Sequence, residues 1–277
     1  MGTRIRLVMN NKDLTIIFDQ HEFEMQPNHF RVATHPYVRY HAAPPSRDGL
    51  DELLISGSEQ PSVRDFKEDI QNLAAKVIVV DLRQESHGFI NGIPVSWYAP
   101  KNWANIGFDA DAVMKDEAGR LAGLAGKTIP MVHVLMKDDH GQITESRTEH
   151  IEVTSAATEK EVTASLGMDS MRFSLTDHCS PVESEVARFV EFFKSVPKTT
   201  WLHFHCHGGD GRTTTFMLLC DIMRNGHKFS LEELALRQYL VGGVDLLNHT
   251  SEGYKAPLYM RRTKFIRKFY DTFRGIV

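Results

Sequence analysis

Cysteine is scarce in this 277-residue chain. Its three residues, Cys179, Cys206 and Cys220, form an odd and sparse set, which does not read as a disulfide scaffold. Long hydrophobic runs are missing too: none approaches the roughly 20 residues that a membrane span requires. Nor is there an excess of basic charge. With 32 Lys and Arg against 36 Asp and Glu, the formal net charge is -4, which argues against generic binding to nucleic acid or to a membrane surface. A polyanionic ligand would need a locally positive site. Internal repeats and low-complexity tracts are absent. The opening MGTRIRLVMNNKDLTIIF has no continuous apolar stretch followed by a small-residue cleavage site, and Arg6 stands where a myristoylation signal needs Ser or Thr. Location stays open: cytoplasmic if the chain is whole, secreted, periplasmic or delivered into a host if it has been trimmed. Oligomeric state is equally open.

Hydrophobic residues make up 42% of the chain, enough for a substantial core in one large domain or a domain plus a smaller one. The spacing of Phe66, Ile70, Leu73 and Ala74 after Ser62 predicts a helix over 62–76. Val77–Leu82 (VIVVDL) and Trp201–His205 (WLHFH) are apolar runs suited to strands buried on both faces. Helices are predicted over 184–195 and 213–224. Strands alternating with helices imply an α/β core around a parallel or mixed sheet. The stretch from about 93 to 168 differs. IPMVHVLM and TEHIEVT read as strands around the turn DDHGQ, and 109–124 reads as a helix. It is expected to be a small α+β insertion (93–168) in a main domain made of 1–92 and 169–277.

The chemistry concentrates in HCHGGDGRTT, residues 205–214. Cys206 and Arg212 are six apart, with Gly208, Gly209 and Gly211 between them, after a strand and before a helix. A thiolate at a helix N-terminus meets unpaired amides and the positive end of the dipole. Glycines let a loop curl into a nest of N–H groups that fits phosphate oxygens equally well. Arg212 can grip two such oxygens with its planar fork, as a lysine cannot. Thr213 is placed to donate a hydrogen bond to the sulfur. This is the pattern of a cysteine-dependent phosphatase that needs no metal or other cofactor.

The loop resembles the H-C-x5-R-[ST] signature of protein tyrosine phosphatases. Further pieces are similar to one branch, the bacterial tyrosine-phosphatase-like phytases, which are inositol polyphosphate phosphatases. They are ISGSEQPS (55–62), VDLRQESHG (80–88), TDHCSP (176–181), WLHFHC (201–206), GRTTTFM (211–217), RQYLVGG (237–243) and, more loosely, YKAPLYMRR (254–262). The resemblance implies a tyrosine-phosphatase-like core, a central mixed sheet flanked by helices, with a small partial β-barrel inserted. It implies Asp177 as the general acid on a mobile loop; without an acid the leaving group departs as an alkoxide. It implies a phosphate contact from His178 and phosphate-contacting or site-shaping roles for Arg31, Arg83, Lys255 and Arg262, with Arg31 and Arg83 open also to a reading as structural ion-pair partners. His207, Gly208, Gly209, Asp210 and Gly211 would complete the phosphate cradle. Phytate carries six phosphates of roughly -1.5 to -2 charge each, so a collar of cations is what it requires.

The chain departs from this family at three places. Ser180 stands where a Trp is usual in the acid motif, His207 where a Glu often follows the nucleophile, and Asp210 puts a carboxylate in the loop. The side chain of Asp210 is expected to face outward, since an inward carboxylate would repel phosphate. His205 is expected to brace the loop rather than join His203 in binding zinc, because no further ligand cluster is spaced for it. Three functions fit the residues: an inositol polyphosphate phosphatase, a phosphatase of the same chemistry acting on phosphotyrosine or another monoester, and a catalytically silent module that binds phosphorylated ligands.

Overall fold

The computed structural model describes residues 14–19, 26–248 and 250–277. Residues 1–13, weighed above for a leader or lipid signal, lie outside these. Two sheets organise the chain. The first has five strands in the order β10-β4-β11-β3-β2: β2 (Arg31–Val32), β3 (Ile55–Ser58), β4 (Val77–Asp81), β10 (Asp169–Arg172) and β11 (Trp201–His205). All its pairings are parallel except β2 with β3. β11 is paired on both edges and buried along its length, which is why it reads as an apolar run.

The second sheet has six strands in the order β8-β7-β1-β6-β5-β9: β1 (Thr15–Phe18), β5 (His87–Ile90), β6 (Ile93–Tyr98), β7 (Thr128–Lys137), β8 (Ile143–Glu152) and β9 (Ala156–Ala157). The β7–β8 hairpin turns at 138–142, where Asp138 and Gln142 pair through the backbone and Gly141 takes φ +76°. The boundary expected between 92 and 93 falls inside the β5–β6 hairpin, whose strands pair His87 with Ser96. The second sheet therefore takes β1 and β5 from outside 93–168.

The helices are α1 (Val63–Asp65), α2 (Ala110–Leu121), α3 (Glu159–Ser165), α4 (Glu183–Ser195), α5 (Gly211–Asn225), α6 (Leu231–Leu240) and α7 (Lys255–Phe273). The single helix expected over 62–76 is instead a composite. α1, capped by Ser62, opens into a wide π turn over Phe66–Ile70 and a 3-10 turn over Gln71–Leu73. The π turn buries both Phe66 and Ile70, with the Phe66 ring set edge-on to Phe89 of the second sheet. α5 is buried on nearly every face, so its apolar residues run all round it rather than along one stripe. Its one interior carboxylate, Asp221, is neutralised by the buried Arg237 and bonded by Gln238 Nε2 (2.9 Å). α5 packs on β3, β11, α6 and α7, and this fixes its N-terminus at the carboxyl ends of the parallel strands.

Candidate active site

Cys206 directly follows β11 and is 3% exposed. Thr213, in the first turn of α5, donates from Oγ1 to Cys206 Sγ at 3.2 Å. Between them the chain turns at Gly209, with φ +74°, pressed so tightly on the end of β3 that a Cβ would lie 2.4 Å from the Glu59 nitrogen. Only glycine meets both conditions. Gly208, by contrast, has open space where a Cβ would be. His205, fully buried, pairs through Nε2 with Glu159 Oε1 of α3 (2.9 Å). His203 contacts the Ser56 and Ser58 hydroxyls of β3, and burial pushes it well down, to a neutral ring. Both histidines of the H-x-H pattern thus hold the strand and loop. Among the described residues no group of three or more His, Cys, Asp or Glu side chains is arranged to hold a metal ion.

Arg212 lies over this floor, buried, with two carboxylates on its fork. Glu85, just beyond β4, accepts Nη1 at 2.7 Å and Nη2 at 2.9 Å. Asp177 Oδ1 lies 3.2 Å from Nη2. Arg212 Nε is buried with no hydrogen-bond partner among the described residues. Burial raises the Asp177 carboxyl, but the positive charge of Arg212 above all outweighs it, so Asp177 sits below the ordinary carboxylate range. Asp177 follows Thr176 at the end of the run out of β10, and His178 after it takes φ +63°.

Arg83 does not face this pocket in the way expected of a phosphate contact. It is fully buried and its donors go to Asp19 Oδ2 (2.7 Å), Glu85 Oε1 (2.9 Å) and Gln60 Oε1 (3.0 Å). Two carboxylates hold it as a brace beneath Glu85, because a guanidinium with no water around it needs neutralisation at that place. Arg31 is also a buried support: it donates to His29 O (2.9 Å) and Thr214 Oγ1 (3.1 Å), and burial pushes it down to about 10. It lies within electrostatic reach of Cys206, as do Arg212 and Arg262.

The remaining expected residues line the walls. Arg262 of α7 is 5% exposed, sits 4.8 Å over the Tyr259 ring and presses on the loop, 2.3 Å from where a Cβ at Gly211 would lie. It belongs to the floor rather than to an outer collar. His178 Nδ1 shares a hydrogen bond with Tyr259 Oη (3.2 Å), and burial pushes the ring down to about 4, against the pull of Asp177. At neutral pH it offers a hydrogen bond and no charge. Lys255, half-buried, opens α7 near Tyr254. His207 lies 3.3 Å from Asp19 Oδ1. Asp210 is half-exposed, with Oδ1 3.0 Å from His29 Nδ1. It borders a cavity of about 210 Å³ shared with Gly211, Asp245, Tyr259 and Arg262.

Sequence reasoning missed Glu85, Asp19, Glu159, Tyr259 and Lys137. Glu85 and Tyr259 lie inside quoted motifs, and the signal was there: a carboxylate two residues from Arg83, and a ring three before Arg262. Lys137, at the end of β7, gave none. Its Nζ sits 4.1 Å over the Tyr98 ring, within electrostatic reach of Asp177 and Lys255.

Known proteins resemble this chain in sequence and in fold. The PTP-like phytase family model, described by inositol hexakisphosphate, matches residues 80–224. The effector protein hopD2 of Pseudomonas syringae pv. tomato is 30% identical over 82% of this chain and 49% of its own length. A PTP-like myo-inositol phosphatase from Mitsuokella multacida, solved with myo-inositol-(1,3,4,5)-tetrakisphosphate, is 33% identical with a TM-score of 0.84, over 95% of this chain and 45% of that one. A PTP-like phytase from Bdellovibrio bacteriovorus is 32% identical with a TM-score of 0.74, over 93% of this chain and 88% of that one. The chain thus spans about half the length of hopD2 and of the Mitsuokella protein. The matched fold, the family model and the shared sequence place this chain in the PTP-like phytase family.

Proposed function

We propose that this chain is a metal-independent cysteine phosphatase that removes phosphate from myo-inositol polyphosphates through a phosphocysteine. The observation that carries the reading is that Arg212 holds Asp177 at 3.2 Å over the floor where Thr213 bonds the Cys206 sulfur. Clamp and acid are in contact and the charge of Arg212 reaches Cys206, which supports the three acting on one phosphate.

In the first step the Cys206 sulfur attacks phosphorus, the P–O ester bond breaks, and Asp177 gives its proton to the departing oxygen. In the second, water attacks phosphorus and gives a proton to the Asp177 carboxylate, and the S–P bond breaks, the sulfur leaving as a thiolate that Thr213 stabilises. Asp177 must be protonated for the first step, although Arg212 favours its ionised form in the free site. An arriving phosphate supplies the remedy. It draws the guanidinium fork, including the unpartnered Nε, and it brings negative charge; both raise the acid's pKa.

The substrate class rests on the walls. Lys137 and Lys255 add two cations beyond the loop, and the half-buried His178 and Tyr259 add polar atoms. The Mitsuokella neighbour was solved with an inositol tetrakisphosphate, which fits the same need. The test is kcat/KM for inositol hexakisphosphate against a phosphotyrosine peptide, with and without EDTA. Preference for the hexakisphosphate in EDTA is expected. Preference for the peptide would replace this reading with a tyrosine phosphatase, and no turnover of either would leave a phospho-ligand binder.

A further inference from the structure

The turn after β6 does more than connect it to α2. At Pro100–Asn102 the backbone enters the left-handed region twice in succession, at Lys101 (φ +64°) and Asn102 (φ +63°), neither of them glycine. Strain of this kind persists only where the surroundings enforce it. They do so here. Asn102 N donates to Ala99 O (2.8 Å), the Tyr98 hydroxyl donates to Gly141 O (2.6 Å), and a Cβ at Gly141 would lie 2.5 Å from the Lys101 nitrogen. The β7–β8 turn thus clamps this segment from one side.

On its other side the segment meets the acid loop. Asn102 is 5% exposed, and its Nδ2 donates to Glu85 Oε1 (2.9 Å) and reaches Asp177 Oδ2 at 3.4 Å. Trp103 Nε1 donates to the main-chain oxygen of Asp177 (3.0 Å). The acid loop, Asp177-His-Cys-Ser-Pro, has no Phe, Tyr or Trp of its own to anchor it. Arg212 also touches both Glu85 and Asp177, and in the proposed reaction its fork is drawn toward phosphate.

We infer that Asn102 and Trp103 are positioning residues for the general acid: Trp103 fixes the backbone of Asp177 and Asn102 fixes its carboxyl, so that the acid stays placed when phosphate engages Arg212. The inference rests on the phosphatase reading and deepens it. A carboxylate at 102 would have neither donor. It would also stand between Glu85 and Asp177 and raise the pKa of Asp177. Arg212, Glu85, His207, Lys137, Arg262, Tyr98, Tyr254 and Tyr259 act on that carboxyl from the other elements packed around it, and His178 and Cys179 from its own loop.

The test uses Asn102→Ala, Asn102→Asp and Trp103→Phe in the full chain, alone and combined with Asp177→Asn. kcat is measured on inositol hexakisphosphate, whose leaving group is an alkoxide, and on nitrophenyl phosphate, whose leaving group needs little protonation. Asn102→Ala and Trp103→Phe are expected to lower kcat on the hexakisphosphate by at least about 10-fold, part of the ~10²–10⁴ that a general acid supplies. The nitrophenyl rate, which also reports that each variant is folded, should hardly change. Asn102→Asp should move the alkaline limb of the kcat profile to higher pH. In the Asp177→Asn background none of the three should cost anything further on the hexakisphosphate. Equal losses on both esters, or losses that add to that of Asp177→Asn, would overturn the positioning role while leaving the phosphatase intact. A wild type inactive on both esters would sink the phosphatase reading and this role with it.

Discussion

The pocket has a floor and a rim, and they are built on opposite terms. The floor is the loop 206–212 with its supports. Cys206, Thr213, Arg212, Arg262 and Glu85 are all buried, and each side chain has a named partner, on its own helix for Arg262 and on other segments for the rest. The rim is Lys137, exposed at the end of β7, and Lys255, half-buried at the start of α7, each resting an ammonium over a tyrosine ring. Buried groups with several partners are fixed in geometry before substrate arrives, which suits bond making and breaking. Long flexible cations in partial solvent adapt to wherever the unreacting phosphates lie. The division teaches that chemistry and choice of substrate are separable here. Floor variants should harm every substrate, and rim variants should harm only polyphosphates.

The largest effect is expected from Cys206→Ser, which should abolish turnover of every ester while phosphate ligands still bind. Serine preserves the shape, but its hydroxyl is far less acidic and no base is bonded to it. EDTA should leave wild-type activity unchanged. Activity lost to EDTA and restored by zinc would show that the floor is not what drives the reaction.

Next comes the support beneath the clamp. Glu85→Ala leaves Arg212 and Arg83 buried beside a missing carboxylate. Removing one partner of a buried pair costs about 3–5 kcal/mol, so thermal unfolding should shift down together with activity. A variant with unchanged melting temperature and full activity would mean that the Arg212 fork is held by something else.

Asp177→Asn should slow hydrolysis of alkyl phosphates by about 10²–10⁴-fold and of nitrophenyl phosphate much less. Its pH signature follows from the site. In the free protein Arg212 depresses the acid, so kcat/KM should fall at lower pH. With phosphate bound, the shared guanidinium and the added negative charge raise the pKa, so the alkaline limb of kcat should lie at higher pH than that of kcat/KM. Coincident limbs would show that Asp177 does not exchange Arg212 with substrate.

The floor was legible in the sequence because it is local. Cys206, Arg212, Thr213 and the glycines lie within nine residues, and a strand before them and a helix after them set their geometry. Asp177 was reached through the resemblance alone. The rest depended on contacts between distant segments. Arg83 looked like a ligand through the resemblance; the opposing charge, Asp19, lies 64 residues away, just after β1 of the other sheet. Arg262 and Lys255 looked equivalent in YKAPLYMRR, yet their seven-residue spacing on α7 leaves one buried under the loop and the other near the surface. Lys137 was invisible, because no local pattern tells which end of a hairpin leans on a pocket. The break from the expected helix at 66–73 is tertiary too: a π turn buries Phe66 and Ile70.

The smallest effects should come from the rim, and they sharpen the comparison most. Arg262 lies too deep to serve: Arg262→Ala would open the floor at Gly211 and should slow all substrates. The discriminating variant is Lys137→Ala with Lys255→Ala. Each lost charge-assisted contact contributes roughly 1.5–3 kcal/mol at most, and less where solvent reaches it. KM for inositol hexakisphosphate should therefore rise, with kcat little changed and nitrophenyl phosphate turned over as before. Salt should imitate the double variant. Exposed charges are screened over about 8–10 Å at physiological strength, while the buried pairs around Arg212 are not. Raising ionic strength should thus raise KM for the hexakisphosphate in the wild type and hardly affect it in the double variant. If salt lowers turnover of both esters alike, or the double variant keeps the full salt response, the two lysines are not the collar, and the separation of floor from rim fails at that point.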